Sequence, residues 1–103
     1  MEKSFRFKQF TVAHERAAMK VGTDGVLLGA WVRLLGTEQH ILDVGTGTGV
    51  IALMLAQRTA GQSTGERSSV TIIGIDIDGA SAEEAAANFK DSPWAGQIGR
   101  AHV

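Results

Sequence analysis

The stretch Leu42–Val50, LDVGTGTGV, places a carboxylate two residues ahead of three glycines at alternate positions, Gly45, Gly47 and Gly49, with Thr46 between the first two. A backbone free of side chains at that spacing turns sharply and lets a ligand lie against the main chain, which points to a nucleotide-like cofactor. A dinucleotide fingerprint, G-x-G-x-x-G, would need its last glycine where Val50 stands. Asp43 separates the candidates further, because a carboxylate so near the turn repels a pyrophosphate and suits a cation. S-adenosylmethionine carries a sulfonium and an ammonium and no phosphate, so the electrostatics favour it over NAD. A second carboxylate follows in IIGIDID, where Asp76 ends an apolar run and is expected to accept hydrogen bonds from both ribose hydroxyls, with Ile77 beside it to pack on adenine. Asp78 is the alternative acid for that role. A plain tight turn would explain the glycines alone but not the acid at the end of the next strand.

These groups need strands that end at them. HILDV, 40–44, reads as a short strand running into the glycines, and GVIALMLAQR, 49–58, as a helix of good formers closed by a basic residue. VTIIGID, 70–76, is a second β-branched run, and SAEEAAANFK, 81–90, a helix with Ser81 and Glu84 at capping-box spacing, stopped before Pro93. Strand, helix, strand, helix with near-continuous apolar strands predicts an α/β fold with a parallel sheet covered on both faces. Upstream, SFRFKQFTV, 4–12, alternates aromatic and polar and is expected to be one half-buried strand with a register slip near Gln9. AHERAAMKV, 13–21, is expected to form a short helix, and GTDGVLLGAWV, 22–32, another, capped by Thr23 or Asp24, with Val26, Leu27, Ala30 and Trp31 on its apolar side. Residues 59–69, rich in Gly, Ser and Thr, read as a surface connection.

Composition narrows the class. The 103 residues are 44% hydrophobic and 20% charged, an ordinary globular balance for one small domain or part of a larger one. No apolar run approaches the roughly 20 residues of a membrane-spanning helix, and charges occupy the place of a signal peptide's apolar core, so a cytoplasmic location and no membrane partner are expected. There is no cysteine, and His14, His40 and His102 match no ligand spacing, so no metal is expected. The net charge of −1 conceals a basic start: Lys3, Arg6, Lys8, Arg16 and Lys20 stand against Glu2 and Glu15. Solvated surface charge explains that excess as readily as half of a nucleic-acid footprint does.

LDVGTGTGVIALMLAQR followed by GIDID resembles the cofactor-binding motifs of the class I S-adenosylmethionine-dependent methyltransferases, whose fold is Rossmann-like. FRFKQFTVAHERAAMKVGTDGVLLGAW, with SPWA further on, is similar to the bacterial tRNA (adenine N6)-methyltransferases that modify valine tRNA beside the anticodon; the likeness runs from Phe5 to about Gln97. The resemblance implies that Asp43, Gly45, Gly47, Gly49 and Asp76 hold the cofactor and that the KVGTDGVLL stretch lies over its methionine end. Lys20, Gly22, Thr23 and Asp24 are then expected beside the ligand, where a helix start and an anion site coincide. It also implies direct transfer of a methyl group to the N6 amine of an adenine in tRNA. The amine-aligning acceptors of that family lie in an Asn-Pro-Pro-aromatic motif absent from this sequence, whose single proline is Pro93, so no catalytic residue is assigned.

The sequence is therefore expected to divide into a covering segment, 1–36, the first half of a cofactor domain, 37–97, truncated after the second strand-helix unit, and a non-native tail, 98–103. That tail, IGRAHV, is the translation of ATC GGA AGA GCA CAC GTC, a string matching a common sequencing-library adapter, and its Gly99–His102 continue no strand pattern. Alternatives are a related methyltransferase acting on protein glutamine or another RNA, a non-catalytic cofactor-binding or interaction module, and, last, a dehydrogenase.

Overall fold

The computed structural model describes residues 3–17, 20–36, 40–60 and 70–102. Its elements are a hairpin of β1 (Ser4–Arg6) and β2 (Thr11–Ala13), then α1 (Thr23–Trp31), β3 (His40–Val44), α2 (Val50–Ala60), β4 (Thr71–Asp76), α3 (Gly79–Lys90) and β5 (Ile98–His102). β3, β4 and β5 form one parallel sheet in that order. The α/β class and parallel sheet read from the sequence are borne out.

α2 and α3 cover one face of this sheet. Alternation along β4 turns Ile72 inward to complete burial while Ile73 stays 41% exposed, and on β3 Leu42 and Val44 point the same open way. The core lies between sheet and helices, where Leu53, Ala56, Ile72, Ala85 and Phe89 pack together, with Phe10 and Val12 of the hairpin closing it from the helix side. Each large apolar side chain buried there is worth about 1.5–3 kcal/mol over exposure. The expectation of a sheet covered on both faces is thus corrected: among the described residues no helix packs on the face carrying Leu42, Val44 and Ile73. Apolar runs on both faces of a strand state what the strand can bury, not what is present to cover it.

Local chemistry revises several further expectations. The single strand over 4–12 is a hairpin; the slip at Gln9 is its turn, closed by Phe7 N–H donating to the Phe10 carbonyl at 2.8 Å. Phe7 and Phe10 stack at 4.5 Å, and Phe10 meets Trp94 edge-on at 5.4 Å, tying the hairpin to the segment after α3. The described part of 13–21 is not helical: the N–H groups of Glu15, Arg16 and Ala17 bond to the Glu84 carboxylate of α3. α1 starts at Thr23 with Gly22 as N-cap and no side-chain cap. It packs on α2 through Gly29, where a Cβ would collide with Met54, and so leaves Trp31 79% exposed, not on the packed side. α3 begins two residues earlier than read: its N-cap is Asp78, which accepts from Ser81 N–H, so no Ser81–Glu84 capping box forms. In the connection expected over 59–69, Thr59 and Ala60 belong to α2 and 61–69 lie outside the described residues.

The sequence offered no strand after Gln97, yet β5 pairs parallel with β4, Ile98 opposite Ile72 and 7% exposed. Backbone laddering asks little of side-chain type, and Ile98 supplies a buried apolar anchor for the pairing. If the sheet faces are as described, Ile72→Ala lowers the unfolding free energy by about 2–4 kcal/mol whereas Leu42→Ala changes it by under about 1 kcal/mol. Urea unfolding of the two variants measures this, and equal losses would contradict the one-sided core.

Candidate functional site

The carboxyl ends of β3 and β4 lie side by side because the two strands pair in parallel, and the glycine loop between β3 and α2 folds back over β4 there. Gly45, Gly47 and Gly49 have φ of 71°, 55° and 86°, a region that side chains other than glycine enter at a cost. Thr46 N–H donates to the Ile75 carbonyl at 2.8 Å, and the Thr46 side chain lies so close to Gly74 that a Cβ there would strike it. β4 therefore needs a glycine where the loop crosses it.

This packing brings the two acids together. Asp76 Oδ2 accepts from Gly47 N–H at 2.8 Å and its Oδ1 from Asp78 N–H at 2.9 Å, so the carboxylate is fixed by the loop it faces. Asp43 Oδ2 accepts from the Thr46 hydroxyl at 2.8 Å. Burial pushes the Asp43 carboxyl above its ordinary value of 3.8; bonds from Thr46 and from the backbone of Ala52 in the first turn of α2 pull it down, and the charge of Asp76 pushes it up again. A buried carboxylate beside a second one makes a site that suits a cation.

A cleft of about 440 Å³ opens beside them. Gly45, Thr46, Gly47 and Thr48 form one wall, Lys20, Gly22, Thr23, Asp24 and Gly25 the other, and Val50 and Ile51 the base. Seven residues singled out from the sequence, Lys20, Gly22, Thr23, Asp24, Gly45, Thr46 and Gly47, thus line one cavity although 20–24 and 45–47 are far apart in the chain. Asp43, Asp76 and Ile77 do not line this cleft: the two acids bond to the loop at Thr46 and Gly47, and Ile77 is 84% exposed. Gly49 does not line the cleft; its α-carbon faces the Phe89 ring, so it serves loop packing on α3. Asp78, the alternative acid, caps α3, its Oδ2 accepting from Ser81 N–H and the Ser81 hydroxyl. Among the described residues no three His, Cys, Asp or Glu side chains gather as metal ligands would.

Two residues of the site escaped sequence reasoning. Glu84 and Asn88, 3% and 4% exposed on α3, hold the segment that carries Lys20 to Gly25. Their spacing of four puts them on one face of the helix, which was the available signal.

No protein-family model matches the chain. It is 53% identical over 94 residues to the tRNA1(Val) (adenine(37)-N6)-methyltransferases of Bacteroides fragilis and Yersinia pestis, and 51% identical over the same length to that of Enterobacter sp.. In each case the match covers 91% of this chain and 35% of the relative, so the chain spans about a third of the length of these proteins. Among solved structures, a SAM-dependent methyltransferase from Thiobacillus denitrificans in complex with S-adenosyl-L-homocysteine superposes with a TM-score of 0.57 at 24% identity, over 85% of this chain and 32% of that one. A putative O-methyltransferase from Klebsiella pneumoniae gives 0.59 at 20% identity, over 82% and 36%. The resemblance drawn from the sequence is borne out, and the fold is part of the class I methyltransferase fold.

The raised Asp43 pKa has a definite sign. The folded chain binds that proton more tightly than the unfolded one, so this group's contribution to stability falls as pH rises from 3.8 through the raised folded value. Asp43→Asn should remove that part of the fall and leave the chain at neutral pH at least as stable as the parent. Urea unfolding from pH 4 to pH 7 checks it, and a less stable variant at neutral pH would refute the assignment of burial as the dominant cause.

Proposed function

We propose that this chain supplies the S-adenosylmethionine-binding part of a methyltransferase that modifies the N6 amine of an adenine in tRNA, working in the cytoplasm. Residues 20–25 are the covering wall and 40–77 the cofactor platform, within the wider divisions 1–36 and 37–97. The observation that carries this is the meeting of two carboxylates, Asp43 and Asp76, at a glycine loop whose open side is a cleft. The substrate is taken from the named relatives, which are 53% identical over most of the chain.

The residues fit the cofactor. Asp76, already oriented by two backbone N–H groups, retains lone pairs for a ribose diol, with Ile77 beside it as an apolar surface for adenine. The loop lets the ligand approach main chain, and the negative field of Asp43 and Asp76 attracts a sulfonium while opposing a pyrophosphate. The N–H groups opening α1 at Thr23 and Asp24, with the Lys20 ammonium nearby, suit the amino-acid carboxylate. When bound, the cofactor supplies a methyl group on positively charged sulfur, open to in-line attack by an amine. The chain's own residues contribute positioning and field, which is most of what such a displacement requires. No residue is assigned to align the amine, since the sequence holds no Asn-Pro-Pro-aromatic motif.

Calorimetric titration of the 103-residue chain should detect S-adenosylhomocysteine and no NAD; NAD binding alone would replace this proposal with a dehydrogenase. Asp76→Ala should weaken S-adenosylhomocysteine by about tenfold or more, since it removes charge-assisted bonds to the ribose. Incubation with unmodified tRNA and labelled S-adenosylmethionine should give no methylated adenine from this chain alone.

A further inference from the structure

The wall of the cleft that carries Lys20 is not built by its own segment. Residues 13–17 form a strap against α3, and the N–H groups of Ala13, Glu15, Arg16 and Ala17 bond to two α3 side chains. Glu84 Oε2 accepts from Glu15 N–H and Arg16 N–H, each at 2.9 Å, and its Oε1 accepts from Ala17 N–H at 2.8 Å. Asn88 closes a ring with Ala13, accepting from its N–H at 2.8 Å and donating to its carbonyl at 2.9 Å, and the same amide nitrogen donates to the Thr48 carbonyl at 2.8 Å. One side chain thus joins the strap to the glycine loop.

From there the order is passed along the strap. Val21 N–H donates to Nδ1 of buried His14 at 3.1 Å, which requires that nitrogen to be unprotonated, and the Lys20 ammonium donates to the His14 carbonyl at 2.7 Å. His14 thereby holds Lys20 and Val21, the residues that lead into Gly22 and the start of α1 at the cleft.

We propose that Glu84 and Asn88 are positioning residues for the cofactor: they touch no ligand but set the wall that receives its amino-acid end, leaving the adenosine end to Asp76. Glu84 is a buried carboxylate whose two oxygens are devoted to three consecutive backbone donors, so its place on α3 serves to hold this segment. This rests on the cofactor assignment above, and it distinguishes the two halves of the ligand. Adenosine carries one half, and S-adenosylhomocysteine carries both.

Both ligands are titrated into the parent chain, Glu84→Gln and Asn88→Asp, alongside hydrogen exchange resolved to 13–22 and to the sheet. Glu84→Gln keeps the shape and one acceptor but turns an N–H toward the strap's donors; Asn88→Asp keeps the acceptor for Ala13 and loses both donations. Each should weaken S-adenosylhomocysteine by about tenfold, leave adenosine within about twofold, and speed exchange in 13–22 with β3 and β4 unchanged. Equal weakening of both ligands, or unaltered exchange in 13–22, overturns the proposal. If the parent binds neither ligand, the cofactor assignment fails and takes the positioning role with it, while exchange still reports whether the clamp exists. Should one variant unfold, the other decides.

Discussion

The structure depends on how closely the glycine loop approaches its neighbours. Thr46 sits on the α-carbon of Gly74, and the ring of Phe89 sits on that of Gly49. A methyl group at either place would push the loop off β4 or off α3. With the loop seated, Gly47 N–H reaches Asp76 and Thr46 reaches Asp43, so packing and site geometry are one constraint. Phe89 links this to the core, since it also belongs to the cluster around Leu53 and Ile72. A buried aromatic thus fixes the height of the loop from one side while the strand fixes it from the other.

The second wall is ordered by polar bonds. Residues 13–17 add few large apolar side chains to the core, and what holds them is a set of backbone donors satisfied by Glu84 and Asn88. Such a wall is sensitive to the identity of two residues and tolerant elsewhere. The exposed pair of Arg16 with Glu83 adds little, as surface ion pairs do. Division of labour follows: apolar packing positions the loop, and directed hydrogen bonds position what lies across the cleft from it.

How much of this was legible in the sequence follows the range of the forces. β3, α2 and β4 could be read because each is set by local pattern, apolar runs halted by glycine or acid and a helix of good formers between them. The acids Asp43 and Asp76 were legible for the same reason, being fixed by position at strand ends. The hairpin turn at Phe7–Phe10 was not, because it contains none of the residues that usually mark a turn and is held by aromatic stacking with partners as remote as Trp94. The strap read as a helix because its own propensities are helical; a carboxylate almost seventy positions away captured its N–H groups. The same event explains the misread cap of α3. Ser81 and Glu84 have the spacing of a capping box, but Asp78 takes the cap and releases Glu84 for the strap.

Asp43 shows what such an arrangement costs and why it persists. Burial beside another carboxylate makes its ionised form less favourable than in water, and the hydroxyl of Thr46 and the first turn of α2 offset only part of that. The positive charge of the proposed ligand acts the other way, because its field favours the ionised carboxylate that burial disfavours. A ligand bearing phosphates would disfavour that charge further. On the function proposed here, the discrimination between a sulfonium cofactor and a dinucleotide is therefore made beneath the glycine loop, where the charge is buried, more than at the glycines themselves, which would admit either.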